Sequence, residues 1–259
     1  MNSNESFAIG LATSLVVTEV SAVAWVTRTP NELPGWIEWT LPGGSGTVKL
    51  PPDWKITASD SIGSFEAAGP DGLAIHMGVG GNVAEPWTIY AMAAPYGALV
   101  APLSDPANAV VNLAGQWSRI SQYKTGFGFR LDRILSNVPV AGRVGGRAAL
   151  LRYDWTKTAW FRGTPMRGYG YLECLPGLPG TWSYQAYYAE GPRETFDQAV
   201  PMLLAIVQSW RVNPAIVREN GQRLVDAQNL AFQVFEQYMR EMSDRRDASR
   251  AAYLGNLTS

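Results

Sequence analysis

Leu73, Ile75, Met77 and Val79 alternate with Ala74, His76, Gly78 and Gly80, a period of two that buries one face of a strand and leaves the other free. Residues 47–81 as a whole read as the opening three strands of a compact domain. Val48 and Leu50 alternate in the same way, and Trp54 and Ile56 follow the Pro51-Pro52 break. Gly69-Pro70-Asp71-Gly72 supplies turn chemistry between Phe65-Glu66-Ala67 and Leu73. The next stretch, residues 82–103, is apolar but aperiodic and is broken by Pro86, Pro95 and Pro102. It is expected to be a long loop or a short strand packed on the domain.

Asp105 followed by Pro106 is an N-cap with proline at the first helical position, and Val110, Leu113, Ala114, Trp117 and Ile120 recur at helical spacing. These predict a helix of about four turns. Phe127, Phe129 and Leu131 alternate with polar or small neighbours, and a turn over 142–146 leads into Ala149, Leu151, Tyr153 and Trp155. Residues 168–172 and 182–188 add two further strands, joined through Pro176-Gly177 and Pro179-Gly180. A helix over 194–210, with Phe196, Ala199, Val200, Leu203, Val207 and Trp210 on one stripe, closes the layer. The fold class expected is therefore α+β, an antiparallel sheet flanked by helices.

Two extensions flank this body. Residues 7–26 are twenty residues with a single charge, Glu19. As a helix they span roughly 30 Å, the thickness of a bilayer core. Residues 1–28 are thus read as a membrane-spanning helix. The rivals are an uncleaved or cleaved secretory signal, with Ala22-Val23-Ala24 as the cleavage site, and a buried soluble helix. The opening MNSNES lacks the positive charge that starts a signal peptide. Gly10, Ser14, Thr18 and Ser21 form a small-residue stripe bordered by Glu19, the kind of face that lets another membrane helix approach. A chance spacing explains the stripe equally well. Trp25, Trp36 and Trp39 fit a membrane-interface belt, and residues 29–46 read as an extended Pro/Gly/Trp linker. Beyond Pro214, residues 213–259 read as a helical arm whose stripe includes Leu224, Phe232, Phe235, Tyr238 and Met242. The arm either folds back on the domain or uses these side chains to dock on a partner. Its arginines and carboxylates balance, which disfavours a basic membrane-surface or DNA-binding helix.

Charged residues are only 17% of the chain and the net charge is −1, so nothing favours a nucleic-acid partner. Cys174 is alone, so it forms no intrachain disulfide and no cysteine cluster, and is read as a small buried strand residue. His76 is the only histidine and no partner follows from spacing. Alternation sets it opposite Ile75 and Met77, on a solvated or helix-covered face. Catalytic triads and the common zinc arrangements lack their donors, and no calcium-loop spacing is present, so no catalytic residue, metal site or cofactor is assigned. Gly78-Val79-Gly80-Gly81 follows a strand without the lysine of a phosphate loop and reads as a turn. Arg143 to Arg147 (RVGGR) reads as a hairpin that could grip an anion. The pairing of Asp132, Asp154 and Glu173 cannot be inferred from the sequence.

The phrases LPPDWKI, AGPDGLAIHMG and LLRYDW, the helix between them and the closing FDQAVPMLLAIVQSWRV resemble bacterial proteins of the PsbP-like and DcrB-like fold over residues 47–212. The resemblance implies a twisted antiparallel sheet flanked by helices in a protein that is mostly non-enzymatic, exported or membrane-associated. The PsbP group are extrinsic photosystem subunits. The expectation is a membrane-anchored, non-catalytic accessory or assembly subunit of a bacterial membrane complex, with membrane protein subunits and the bilayer as partners. Arg28 after the span would put the domain on the cytoplasmic side, whereas the resemblance implies the periplasmic side. The alternative is an exported soluble domain holding a small or polymeric ligand on Tyr169, Tyr171, Trp182, Tyr184, Tyr187 and Tyr188.

Overall fold

The structure, a computed structural model, describes residues 35–159 and 162–222. Two sheets are formed. The smaller has the order β1-β2-β11, with β1 at Ile37–Thr40, β2 at Gly46–Leu50 and β11 at Arg211–Val212. The larger is eight-stranded. Its main path runs β3 (Lys55–Ser59), β4 (Phe65–Ala68), β5 (Ala74–Ala84), β10 (Thr181–Pro192), β9 (Arg162–Pro176), β8 (Arg147–Ala159) and β7 (Gly128–Val140). The short β6 (Leu99–Val100) pairs in parallel with the end of β5, and the pairings along the main path are antiparallel. Helix α1 (Pro106–Thr125) and helix α2 (Phe196–Ser209) flank the sheet. This is the antiparallel sheet with flanking helices that the alternation predicts.

Each helix seals a separate core. Under α2, the inward residues of β4 and β5 (Phe65, Ala67, Ile75, Met77) meet Phe196, Leu203 and Ile206, with Leu50 and Trp54 completing the cluster. Under α1, Val83, Leu151, Leu172 and Trp182 meet Ala109 and Leu113. Burying each large apolar side chain contributes about 1.5–3 kcal/mol. Trp182 keeps its one polar atom satisfied, its indole N–H donating to the Ala101 carbonyl at 2.7 Å. The cap read from the sequence is present. Asp105 Oδ1 accepts from the backbone N–H groups of Ala107 and Asn108 at 3.1 and 3.2 Å, a cap typically worth about 1 kcal/mol. Gly126, at φ 77°, ends α1 in the left-handed conformation.

Several expectations are corrected. Residues 47–81 hold four strands, β2 to β5, rather than three. The second half of the linker read over 29–46 is structured, because β1 pairs with β2 from Ile37↔Leu50 to Thr40↔Thr47. Gly78 to Gly81 is no turn but the middle of β5. Gly78, at φ 80°, is a bulge where the register with β10 slips, and the Ser64 hydroxyl donates to its carbonyl at 3.2 Å. A side chain there would collide with Ser64, whose Oγ lies 2.7 Å from the Cβ position. The stretch 82–103 splits three ways: the last residues of β5, a 3-10 helix over Ile89–Tyr96, and β6.

Residues 7–26 lie outside the described residues, and so do Gly10, Ser14, Thr18, Glu19, Ser21 and Trp25. Among the described residues no helix is long and apolar enough to cross a membrane. The arm begins as expected, helical over 214–222. Asn213 accepts from the N–H groups of Ala215 and Ile216, and its own N–H donates to the Ser45 carbonyl at 2.8 Å. Val217 is buried and the Asn220 side chain donates to the Ser61 carbonyl, so these first turns rest on the domain. Leu224, Phe232, Phe235, Tyr238 and Met242 lie outside the described residues.

Candidate interaction face

Antiparallel register decides which side chains share a face. On the α2 side, Val138, Leu150, Tyr171 and Tyr187 form one row across β7, β8, β9 and β10. Tyr187 is tied into the core beside Trp210, at 6.0 Å between ring centroids, and 6.0 Å on its other side stands Tyr171. The β7 end of the row is open, with Val138 53% exposed. Helix α2 packs over β10 and β2, and among the described residues no helix covers β7 and β8 on this side.

Charged rows bracket this apolar one. Arg133, Asp154 and Arg167 stand opposite one another on β7, β8 and β9. Asp154 is fully buried: its Oδ2 accepts from Arg133 Nε and Nη2 at 3.1 and 3.0 Å, and its Oδ1 from Arg167 Nε at 2.9 Å. Arg193 approaches the same carboxylate at 3.5 Å and donates to Asp132 at 2.8 Å. Asp132 also accepts from Arg130 and from the Thr156 hydroxyl. Asp197, in the first turn of α2, accepts from Arg152 at 2.7 Å and from Arg167 at 2.9 Å. Burial raises the Asp154 carboxyl, but the guanidinium groups of Arg167 and Arg133 outweigh it and hold it below the ordinary carboxylate value. At Asp132 burial is likewise outweighed, by Thr156, Arg130 and Arg193. Five arginines meet three aspartates, so the lattice is fixed in geometry and positive in balance.

On the other side of the apolar row, Glu173 is nearly fully buried. It accepts from the Arg143 backbone N–H at 2.6 Å and from Arg143 Nε at 2.7 Å, while Arg143 Nη2 reaches Gln185 at 2.7 Å. The RVGGR hairpin therefore grips a carboxylate of its own sheet. Gly142 and Gly146 allow this, since a Cβ at either would sit within 3.1 Å of Glu173 Oε1.

His76 has partners after all, on adjacent strands that spacing along the chain does not reveal. Its Nδ1 lies 3.5 Å from Glu66 on β4 and its Nε2 3.5 Å from Glu190 on β10, while its ring stacks on Tyr188 at 4.5 Å and 11°. Burial alone pulls the imidazolium down. The carboxylates of Glu190 and Glu66 more than reverse this, and the pKa is raised to about 9. The group is thus a charged clamp across three strands. Cys174 is fully buried, and burial, with Asp105 and Glu173 near it, pushes its thiol up to about 12. No group of three or more His, Cys, Asp or Glu side chains that could hold a metal ion occurs among the described residues.

The six aromatics read as one binding surface divide between the two faces. Tyr169 and Tyr187 pack against the α2 core, with Tyr171 beside Tyr187. Trp182 and Tyr184 belong to the α1 core, and Tyr188 follows them on the same side of β10. Trp36 packs against the α2 core, whereas Trp39 on β1 is 37% exposed. The arginine lattice was not read from the sequence. Its signal was the placing of Arg130 with Asp132 and Arg152 with Asp154, which gives alternate strand positions opposite charges.

No protein-family model and no curated protein matches the chain. Solved structures it is similar to include cyanobacterial PsbP (CyanoP) from Synechocystis sp. PCC 6803, at 7% identity and TM-score 0.32, covering 73% of this chain and 99% of that one. Another is the Ran-binding protein Mog1p of Saccharomyces cerevisiae, at 11% identity and TM-score 0.30, covering 70% and 97%. The first of them bears the family name to which the sequence resemblance points.

Proposed function

We propose that this chain is a non-catalytic accessory subunit held at a membrane, and that it works through protein contacts made by the open side of its large sheet. One observation carries the reading: the row Val138, Leu150 and Tyr171 lies on a face that no helix among the described residues covers, between two charge lattices whose buried carboxylates are already paired. A preordered surface with an apolar centre and a polar rim loses little side-chain freedom when a partner arrives. The membrane part of the reading rests on residues 7–26, whose length and apolarity suit a bilayer core. A photosynthetic complex is the specific version suggested by the sequence resemblance to PsbP-like proteins.

Extraction of native membranes in mild detergent tests it. The expected outcome is recovery of the protein in a large complex, and conversion to a free monomer by Leu150→Glu with the unfolding midpoint little changed. Recovery of the unaltered protein only as a free monomer would overturn the reading.

A further inference from the structure

The end of the large sheet where β5 stops and β10 begins carries three chain reversals, over residues 85–98, 141–146 and 177–180. The first and last touch each other, and the middle one lies against the strand end that leads into the last. Thr88 Oγ1 donates to the Glu85 carbonyl, and the Glu85 backbone N–H donates to the Gly180 carbonyl at 2.9 Å. Gly145 and Gly146 lie against Pro176 and Leu175 at the end of β9. The tips of these reversals are large and apolar: Trp87 is 71% exposed, Ile89 70%, Met92 74%, Leu178 57% and Val144 fully. Apolar side chains of this size, gathered from three separate loops, are a contact surface rather than scattered exposure.

We infer that this end dips into the interface of a lipid bilayer and sets the tilt of the sheet against it. Three features select lipid as the occupant. The side chains stand exposed on loop tips, which enter a fluid interface without needing a matching cavity in a partner. Between Glu85 at its base and Asp105 the first loop contains no charged side chain, nor do residues 176–180, and the arginine of the 141–146 loop, Arg143, is committed to Glu173. Tryptophan with aliphatic neighbours is the composition favoured at the headgroup boundary. The inference rests on the membrane-held reading above, because residues 7–26 would bring the loops within reach of a bilayer. The near-neutral tips make the contact apolar, so it should form on zwitterionic lipid and resist salt.

The full-length chain in phosphatidylcholine liposomes, spin-labelled at Met92→Cys, Val144→Cys or Leu178→Cys, tests this. Cys174 is buried and does not compete for the label. Tyr123→Cys, at a position 93% exposed near the far end of α1, is the aqueous reference. The expected result is that the ratio of collision with oxygen to collision with a water-soluble nickel chelate is severalfold higher at 92, 144 and 178 than at 123. It should be unchanged in high salt. If the protein floats with liposomes but all four labels meet the nickel chelate equally, the loop end is not in lipid, and only the anchored reading survives. Shielding of 92, 144 and 178 from both oxygen and nickel means that protein, such as a second copy of this chain, covers them, and overturns the inference. A chain that does not float with liposomes removes both readings.

Discussion

The two ends of the large sheet handle water in opposite ways. At the end near Asp154 and His76, charge is drawn inward: a carboxylate without exposure is surrounded by Arg133, Arg167 and Arg193, and an imidazolium sits between Glu66 and Glu190. At the loop end, apolar side chains are pushed outward, with Trp87, Ile89 and Met92 each at least 70% exposed. The first arrangement is held by the fold, since a buried ion is tolerable only where its partners are already in place. The second is not explained by folding, because an exposed apolar tip gains nothing from the native state. The difference separates what this sequence spends on making the sheet from what it leaves for something outside.

The sharpest break in the comparison is at Asp154. Asp154→Ala strands three guanidinium groups around a vacated dry site, and a loss of about 3–5 kcal/mol is expected from the denaturant midpoint, toward the lower figure because Arg133 can turn to water. Asp197→Asn, which acts on an exposed member of the same lattice, should cost about 1 kcal/mol or less. Equal losses at the two positions would mean that Asp154 is not held in the way described. Next in size is His76. Its folded pKa of about 9 lies above the ordinary 6.5, so its contribution is complete below pH 6.5 and disappears as pH rises through about 9. The span corresponds to about 3 kcal/mol. His76→Gln should abolish the fall in stability between these two pH values, read by denaturant titrations at several pH values. A fall that persists in the variant would assign it to another group.

A smaller effect is expected where glycine lets a tyrosine of the neighbouring strand approach closely. Gly168 sits beneath the Tyr153 ring and Gly170 against Tyr188, each with a Cβ position within 2.4 Å of its neighbour. Gly170→Ala also meets the Tyr187 carbonyl, which cannot swing away, and should cost about 1–3 kcal/mol by overpacking. Thermal unfolding of the variant checks this.

The alternation in Gly168-Tyr169-Gly170-Tyr171 marked a strand from the sequence but not the reason for its glycines, which belongs to the neighbouring strands. The same limit recurs across the molecule. The cap at Asp105, the end at Gly126, the α2 stripe and the alternating strands are local periodicities, and they were legible. The partners of Asp154, Glu173 and His76 come from positions 10 to 114 residues away, and no period of two or 3.6 encodes which strand lies beside which. The Gly78 bulge reads locally as a turn because glycines in a strand and glycines in a turn have the same signature. The apolarity of the stretch after Ala84 predicts packing. That holds for Leu99 and Ala101, but aperiodicity gave no means of seeing that Trp87, Ile89 and Met92 point the other way.

The smallest expected effect sharpens the comparison most. Trp87→Ser, Ile89→Ser and Met92→Ser combined replace three large apolar side chains with hydroxyls. In a core, even one such change would remove several kcal/mol. Here the fold leaves the side chains mostly uncovered, as the unfolded chain does, and detergent wets both states alike, so the transfer free energy nearly cancels. The summed change in stability should stay within about 1 kcal/mol by denaturant titration of the detergent-solubilised protein. A loss of core size would show that the loop packs inward and would remove the exposed patch from consideration. If stability is retained, the three side chains are dispensable for folding, and their exposure needs a cause outside the fold. The triple variant then serves as the folded reference against which any loss of lipid contact can be read.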